Sequence, residues 1–134
     1  MSTAPALDIR PALSDDELNE LFAASWPDHT TTAFAPLLDR SLLWVAARRA
    51  GRLVGYVNVV GDGGLHAFVL DTTVHPDERR RGLGRRLVRT AAAEACARGA
   101  RWFHVDYEPA LAPFYASCGF RTTEAGLMPL VPRG

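Results

Sequence analysis

The sequence predicts a single α+β domain in which a mostly antiparallel sheet carries helices on both faces. Two observations lead to this fold class. Runs rich in β-branched and aromatic residues follow one another across short turns, and amphipathic helical segments occur before and after them. The 134 residues, 48% of them hydrophobic, are enough for one core, and they show no repeat or linker. We therefore treat residues 1–134 as one domain.

The N-terminal third predicts one strand and two helices. Residues 6–10 alternate weakly between apolar and polar side chains, which predicts a short strand. Ser14 followed by Glu17 is a capping-box pattern, so a helix is expected to begin there and to end before Pro27. A second helix is predicted over residues 31–40, where apolar side chains recur at helical spacing.

The middle of the chain predicts an antiparallel meander. Three apolar segments rich in strand-forming residues lie at 42–47, 53–60 and 65–74. The segment 48–52 contains glycine between them, and 61–64 is a Gly-Asp-Gly-Gly turn signal. Strands joined by such short turns are expected to pair antiparallel.

The last third predicts two helices and three strands. The longest helix has an apolar stripe at i, i+4 spacing and a glycine just after it. The predicted elements, in order, are a helix over 82–98, a strand over 102–107, a short helix over 110–117, and a final hairpin of residues 120–124 and 127–131.

Charge and cysteine content exclude several classes of function. The formal net charge is zero, which argues against nucleic acid or an anionic membrane as a partner. All 15 basic residues are arginine, and six of them lie within 79–89. Cys96 and Cys118 form neither a disulfide framework nor a zinc motif, so no metal is expected. No signal peptide or membrane span is recognisable, and a cytoplasmic protein is predicted.

The most specific local signal is the glycine-rich turn between the last strand of the meander, residues 65–74, and the long helix. Gly82 and Gly84 remove side chains where a backbone must approach something closely. The unpaired N–H groups and the positive end of the helix dipole make such a helix start an anion site, and neighbouring arginines suit phosphate. A Walker loop is excluded because it requires lysine and the chain has none.

Taken whole, this segment resembles the GNAT superfamily of acetyl-coenzyme A-dependent acetyltransferases. The family signature Arg/Gln-x-x-Gly-x-Gly/Ala is matched by Arg79, Gly82 and Gly84, and its preceding Val-x-Pro is matched by Val74 and Pro76. A second family element is matched by Phe114, Tyr115, Gly119 and Phe120. The resemblance covers residues 41–131 well and the first 40 residues only by the order of elements.

The resemblance implies how acetyl-CoA would bind. The amides of residues 81–85 would cradle the pyrophosphate, and the backbone of residues 72–74 would pair with the pantetheine arm like an extra strand. The strands at about 65–75 and 101–107 would be parallel and would splay apart to admit the thioester. The residues implied in coenzyme binding are Thr72, Thr73, Val74, Arg79, Arg80, Arg81, Gly82, Leu83, Gly84, Arg85 and Tyr115.

Acetyl transfer to an amine requires a base, a donor for the thioester oxygen and an acid for the leaving thiolate. The resemblance assigns the acid to Tyr115. Its usual carboxylate position is occupied by Phe103, which cannot act as a base. We take Asp71 as the substitute, because a carboxylate in an apolar strand needs a reason; it would serve as base or hold the cationic amine. Alternatively, Asp71 is an outward-facing charge or the ion-pair partner of an arginine.

Candidate substrate contacts are less specific. Asp106 and His104 are alternative bases on the predicted strand of residues 102–107. Glu108 stands where the family often has an asparagine that binds the coenzyme arm, and a carboxylate there could serve the substrate or act as the base. Trp26 lies in the region where the family's first helices cover the acceptor, so it is predicted to contact the substrate.

The sequence therefore favours an N-acetyltransferase that acts on a primary amine of a small molecule, amino acid, peptide or protein, as a monomer or homodimer. The altered carboxylate and asparagine positions leave a second reading open, in which the domain binds acyl-CoA without catalysis and regulates a partner.

Overall fold

The computed structural model describes residues 3–131. Within these residues the chain forms five strands and four α-helices, with two short 3₁₀ helices that precede the third and fourth α-helices. In chain order they are β1 (Ala6–Ile9), α1 (Asp15–Ser25), α2 (Ala35–Leu38), β2 (Leu43–Arg49), β3 (Arg52–Gly61), β4 (His66–Val74), the 3₁₀ helix Pro76–Glu78, α3 (Leu83–Ala97), β5 (Trp102–Val105), the 3₁₀ helix Pro109–Leu111 and α4 (Ala112–Ser117).

The strands form one mixed sheet in the order β1-β2-β3-β4-β5. Each neighbouring pair is antiparallel except β4 and β5, which are parallel. The parallel pairing runs from His66 opposite Trp102 to Val69 opposite Val105. The mostly antiparallel sheet and the parallel pair that the sequence analysis predicted are both confirmed.

Helices cover both faces of this sheet, each over its own apolar core. On one face α3 packs Leu83 and Leu87 against strand residues such as Val57 and Val69. On the other face α1 and α2 pack against Tyr56 and its neighbours. The predicted placement of helices on both faces is therefore confirmed, and burial of these apolar side chains is the main force that holds the layers together.

The start of the first helix and the turn of the first hairpin have the geometry that their residue types favour. Ser14 and Glu17 form the reciprocal capping box, with bonds of 2.8 and 3.1 Å, and α1 ends at Ser25 as predicted. Ala50 and Gly51 connect β2 to β3 with φ values of 51° and 80°. Positive φ at both central residues is the type I′ geometry that matches the twist of a hairpin.

A β-bulge interrupts the pairing of β3 with β4. Tyr56 faces Thr73 and Asn58 faces Leu70, so two residues of β4 oppose one residue of β3. One of these two is Asp71, whose φ is 57°. The surplus residue bends β4 at the point where its pairing with β5 has ended, which opens a gap between the two parallel strands.

The second predicted helix is much shorter than residues 31–40. Only Ala35–Leu38 is helical, with Pro36 in the first turn. Residues 31–33 form no regular structure, because the Asn19 side chain bonds to both the N–H and the carbonyl of Thr32 and occupies the groups that a helix would use. The side chain of Asp15 accepts the N–H of Ala35 and so caps the helix start at that residue.

The final predicted hairpin is wrong. Residues 121–131 contain neither strand nor helix, and the apolar side chains of Leu127, Met128 and Leu130 are exposed. Phe120 still packs on Phe103, with ring centroids 5.8 Å apart. Beyond it, Pro129 has no N–H to donate to a sheet, and within the described residues β5 remains an edge strand.

Candidate active site

The gap between β4 and β5 is the centre of the candidate site. β4 continues to Val74, whereas its pairing with β5 ends at Val69. The N–H of His75 bonds to the Val54 carbonyl at 2.8 Å. Because hydrogen-bonded and non-hydrogen-bonded pairs alternate in an antiparallel ladder, Val74 points its N–H away from β3 and towards the gap. A backbone donor is therefore available where the thioester oxygen was expected.

The turn before α3 presents a row of free backbone donors. The N–H groups of residues 81–85 have no hydrogen-bond acceptor among residues 3–131. Gly82 is the N-cap in the left-handed region, at φ 80°, and Arg80 has φ 64°. Left-handed residues in such a turn direct successive N–H groups into one concavity, and the α3 dipole adds positive potential there. This geometry suits a diphosphate.

Glycine is required at the two positions of the turn for different physical reasons. A Cβ at Gly82 would meet nothing within 4 Å, so what requires glycine there is the positive φ. A Cβ at Gly84 would lie 3.2 Å from two ring atoms of Phe114. Gly84 therefore lets α4 pack closely against the start of α3, which brings the neighbouring Tyr115 to the gap.

The arginines of the turn point in different directions. Arg79 donates to the carbonyls of Val74 and Ser25, at 3.3 and 3.2 Å, and thereby ties the end of β4 to the end of α1. The Arg81 guanidinium lies 3.9 Å from the Glu78 carboxylate, on the side away from the gap. Arg80 and Arg85 are exposed at the turn.

Tyr115 is the phenol whose hydroxyl contacts β4 next to the gap. It is 7% exposed, and its hydroxyl donates to Thr72 Oγ1 at 3.4 Å. Its ring stacks on Tyr107, with centroids 5.0 Å apart. Burial raises the pKa of Tyr115 above its ordinary value. The phenol is therefore protonated at neutral pH, as a proton donor must be.

Asp71 lies on the bulge beside this gap. The residue is solvent accessible, yet surrounding protein atoms raise the pKa of its carboxyl above the ordinary aspartate value. Asp71 makes no ion pair among the described residues, which distinguishes it from a structural partner of an arginine. A carboxylate with a raised pKa and free access is suited to accept a proton or to hold a cation.

Two buried polar residues that the sequence analysis missed lie on the same side of the sheet as α1. Tyr56 and Asn58 are fully buried, and neither the Tyr56 hydroxyl nor the Asn58 amide has a partner in residues 3–131. Burial, and secondarily the charge of Asp71, raise the pKa of Tyr56. Their signal was present in the sequence, because both interrupt the apolar run of β3, but nothing there showed which face they share.

The remaining predicted substrate residues are placed unevenly. Trp26 is brought to the site, since its indole N–H donates to Thr73 Oγ1 at 3.1 Å. Asp106 and Glu108 are exposed after β5, and their side chains form no hydrogen bond with the described residues. His104 bonds to His66 at 2.8 Å, and Phe103 packs towards the α3 core, away from the gap.

Residues 3–131 contain neither a recognisable metal-binding cluster nor a membrane-spanning helix. No group of three histidine, cysteine, aspartate or glutamate side chains is placed to bind a metal ion. A helix with the length and hydrophobicity needed to span a bilayer is likewise not found there.

Comparison with known proteins relates most of the chain to one family. The family described as acetyltransferase (GNAT) domain matches residues 39–122. Mycothiol acetyltransferase of Mycobacterium sp. (strain JLS) is 32% identical over 119 residues, which cover 80% of this chain and 39% of that protein. The chain thus spans about two fifths of the length of this relative.

Solved structures share the fold. A GNAT family acetyltransferase from Streptococcus pneumoniae TIGR4 superposes with a TM-score of 0.75 at 23% identity, covering 96% of this chain and 98% of that one. Aminoglycoside N-acetyltransferase AAC(6')-Iy in complex with CoA gives a TM-score of 0.73 at 19% identity, covering 96% of both chains.

Proposed function

The chain belongs to the GNAT acetyltransferase domain family, and from this membership and the site geometry we propose that it transfers an acetyl group from acetyl-CoA to a primary amine. One observation carries the proposal. Five consecutive free amides, at residues 81–85, adjoin a gap in the sheet that is bordered by a buried, protonated phenol. A turn that binds diphosphate beside a proton donor fits a coenzyme thioester.

The residues present fit the coenzyme. The free amides and Gly82 would hold the pyrophosphate, and the unpaired edge of Thr72–Val74 would hold the pantetheine arm. Arg80 and Arg85 would add charge at the turn, and Arg79 would position the Val74 backbone rather than contact phosphate. An aminoglycoside acetyltransferase of similar fold forms a complex with CoA, which supports the coenzyme as the ligand.

The protein's own groups supply what acetyl transfer requires. Asp71 accepts a proton from the ammonium form, so that a neutral amine nitrogen attacks the acetyl carbon. The N–H of Val74 stabilises the negative charge that develops on the carbonyl oxygen. As the new C–N bond forms and the C–S bond breaks, the Tyr115 hydroxyl gives its proton to the leaving thiolate, and the resulting phenolate takes up the surplus proton of the nitrogen.

The acceptor would bind on the α1 side of β4. Trp26 provides an aromatic wall there, and the unpartnered Tyr56 hydroxyl and Asn58 amide provide buried hydrogen-bonding groups. Together with Asp71 they favour an amine that is cationic in water and carries further polar groups. Asp106 and Glu108 would contact only a part of the acceptor that extends to the surface.

We also propose that the protein works in a reducing, cytoplasmic compartment, as a monomer or homodimer and without nucleic acid. Both cysteines are free, and the formal net charge is zero.

The test is release of free thiol from acetyl-CoA across a panel of primary amines, with CoA binding measured in parallel by calorimetry. Amine-dependent thiol release and an acetylated product are expected. Tight CoA binding without turnover on any amine would instead identify a regulatory acyl-CoA-binding module, and absence of CoA binding would contradict both readings.

A further inference from the structure

A cavity lies beside the glycine-rich turn of residues 79–85, which we call the coenzyme turn. The cavity has a volume of about 360 Å³ and lies between the β2–β3 turn and residues 75–81. Its lining includes three guanidinium groups, those of Arg49, Arg52 and Arg81, the ring of His75 and the carboxylates of Asp77 and Glu78. Neither Asp71 nor Tyr115 lines this space, which we call the arginine cavity.

One tautomer of His75 leaves a buried donor without an acceptor. The N–H of Asp77 donates to His75 Nδ1 at 3.1 Å, and in the tautomer that accepts this bond a neutral ring carries its proton on Nε2. His75 Nε2 lies 3.3 Å from Arg52 Nη2, and a guanidinium cannot accept a hydrogen bond. In that tautomer the Nε2–H of His75, a residue that is only 8% exposed, has no acceptor among the described residues at the wall of the cavity.

The charges around the cavity are only partly balanced. Arg49 is neutralised by Glu78 through two bonds of 2.6 and 3.0 Å. The nearest carboxylate to Arg52 is Glu20 on the surface, at 3.5 Å, and Arg81 is 3.9 Å from the Glu78 carboxylate, which Arg49 already engages. The Asp77 side chain is 81% exposed. Arg52 and Arg81 are thus held only by long ion pairs, and the side chains of both are more than half exposed.

A second, smaller cavity continues from the first. It has a volume of about 210 Å³, shares Arg49, Glu78 and Arg81 with the arginine cavity, and adds the guanidinium of Arg86. Arg86 donates to the Pro5 carbonyl at 3.2 Å, which fixes its position at the edge. The positive character of the space therefore extends beyond the first cavity.

We propose that the arginine cavity is a second anion site, which binds a small oxyanion of the phosphate class independently of the coenzyme. Such a ligand supplies several acceptor oxygens, and Arg52, His75 and Arg81 offer donors from three elements that converge on one space. Guanidinium groups bind phosphate oxygens through charge-assisted hydrogen bonds. Such bonds can form although two carboxylates also line the cavity. The Glu78 carboxylate holds Arg49 and leaves the other donors to the ligand.

Calorimetric titration with inorganic phosphate at constant ionic strength tests the site. The wild-type protein is expected to bind one phosphate saturably. Arg52→Gln removes one charged donor and is expected to weaken binding about 10-fold. His75→Asn keeps an acceptor for the Asp77 N–H but removes the Nε2 donor, and it is expected to weaken binding as well. Arg40→Gln, a change at an exposed arginine outside the cavity, should leave binding unchanged.

Repeating the titration with saturating CoA separates this site from the coenzyme turn. Phosphate binding that persists with CoA present supports the proposal. Displacement of the phosphate by CoA would mean that the ion occupies the turn itself, and the proposal would be wrong. It would equally be overturned if no saturable phosphate binding occurs, or if folded Arg52→Gln and His75→Asn bind as wild type does.

Discussion

At the scale of single residues, Tyr115 and Asp71 have pKa values displaced in the same direction with opposite chemical effects. Desolvation by the surrounding protein atoms raises both pKa values. The higher pKa keeps the phenol protonated, and in the proposed reaction the phenol would give its proton to the thiolate. The higher pKa makes the Asp71 carboxylate a stronger base, which would accept a proton from an ammonium group. The two groups would thus serve opposite proton transfers at one gap.

Replacing Tyr115 by phenylalanine tests the acid role. The ring packing against Tyr107 and Phe120 remains, and only the hydroxyl that bonds to Thr72 is lost. We expect kcat to fall about 100-fold with little change in CoA affinity, because general acid catalysis contributes about that factor. Steady-state kinetics and CoA calorimetry measure the two effects separately.

Tyr107→Phe is the matched control, since it removes a hydroxyl from the stacked neighbour of Tyr115. Turnover in the control should stay near that of the wild type. A Tyr115→Phe protein that turns over as fast as this control would exclude the phenol as the acid.

Replacing Asp71 by asparagine is expected to lower activity and raise stability. A raised folded-state pKa means that the ionised carboxylate destabilises the native state at pH values above that pKa. Asp71→Asn should therefore unfold at a higher urea midpoint than wild type near pH 7, and this advantage should vanish as the pH falls through the pKa of Asp71. Wild-type kcat/KM should decline over the same range.

Asp39→Asn, at an exposed position outside the site, should show neither effect. Retained activity with an amine acceptor in Asp71→Asn would remove the carboxylate from the mechanism and return the base to another group or to water.

Residue identities located the glycine-rich turn and Tyr115, but not the buried polar pair on the other side of β4. Motif spacing was sufficient to place Gly82 at the start of α3 and Tyr115 on α4, because these positions depend on local geometry. The shared position of Asn58 and Tyr56 depends instead on the strand register and on the bulge at Asp71. A bulge is set by pairing between two strands, and sequence periodicity within one strand does not reveal it.

At the scale of elements, the turn and α3 act as one unit whose shape depends on a positive φ. Gly82→Val adds about 1–2 kcal/mol of backbone strain at this position, and the turn is expected to relax away from the left-handed region. Because the free amides then no longer converge, CoA affinity should fall by about 10-fold or more. Calorimetry with CoA measures the loss.

Gly63→Val provides a control with the same strain. Gly63 has φ 81°, and like Gly82 it has nothing within 4 Å of an added Cβ, but it lies in the β3–β4 turn. Both variants should lose a similar amount of stability, whereas only Gly82→Val should lose coenzyme affinity. Equal CoA binding by the two variants would show that the turn does not grip the diphosphate.

Element type was predictable where local signals agreed with tertiary packing. The capping box, the three meander strands and the long amphipathic helix were all found near their predicted bounds. The predictions failed where contacts from distant residues, or the lack of a partner, decide the backbone. The Asn19 side chain binds Thr32 and prevents a helix over residues 31–33, whereas residues 127–131 include Pro129 and expose their apolar groups. Apolar composition alone does not make a strand without a neighbour to pair with.

At the scale of the whole molecule, one ion pair joins the sheet to the 3₁₀ helix Pro76–Glu78, which directly precedes the glycine-rich turn. The Arg49 guanidinium bonds to the buried Glu78 carboxylate and holds its pKa below the ordinary glutamate value. A depressed carboxyl pKa gives stability that is present above the unfolded value, about 4.3, and is lost as the pH falls through the folded value. Acid should therefore loosen the segment that precedes the turn.

The variant Glu78→Gln isolates this effect. Its urea midpoint should lie below that of wild type near neutral pH, and the two proteins should converge as the pH falls below about 4. Glu94→Gln, which alters the surface pair with Arg98, should follow the wild-type curve. A Glu78→Gln midpoint equal to wild type at neutral pH would mean that the ion pair contributes no net stability.

The bulge makes the length of β4, rather than its composition, the property expected to keep the cleft open. Val69 and Val74 both face α3, although five positions separate them, because Asp71 and Thr72 together oppose the single residue Val57. A one-codon deletion of Asp71 would restore regular alternation while every inward side chain stayed inward. Such a protein should fold and melt cooperatively yet bind no coenzyme, a result that circular dichroism and calorimetry would show together. If it retained CoA, the gap would have another origin. In the function proposed above, activity would depend on one surplus codon that a comparison of core residues would not notice.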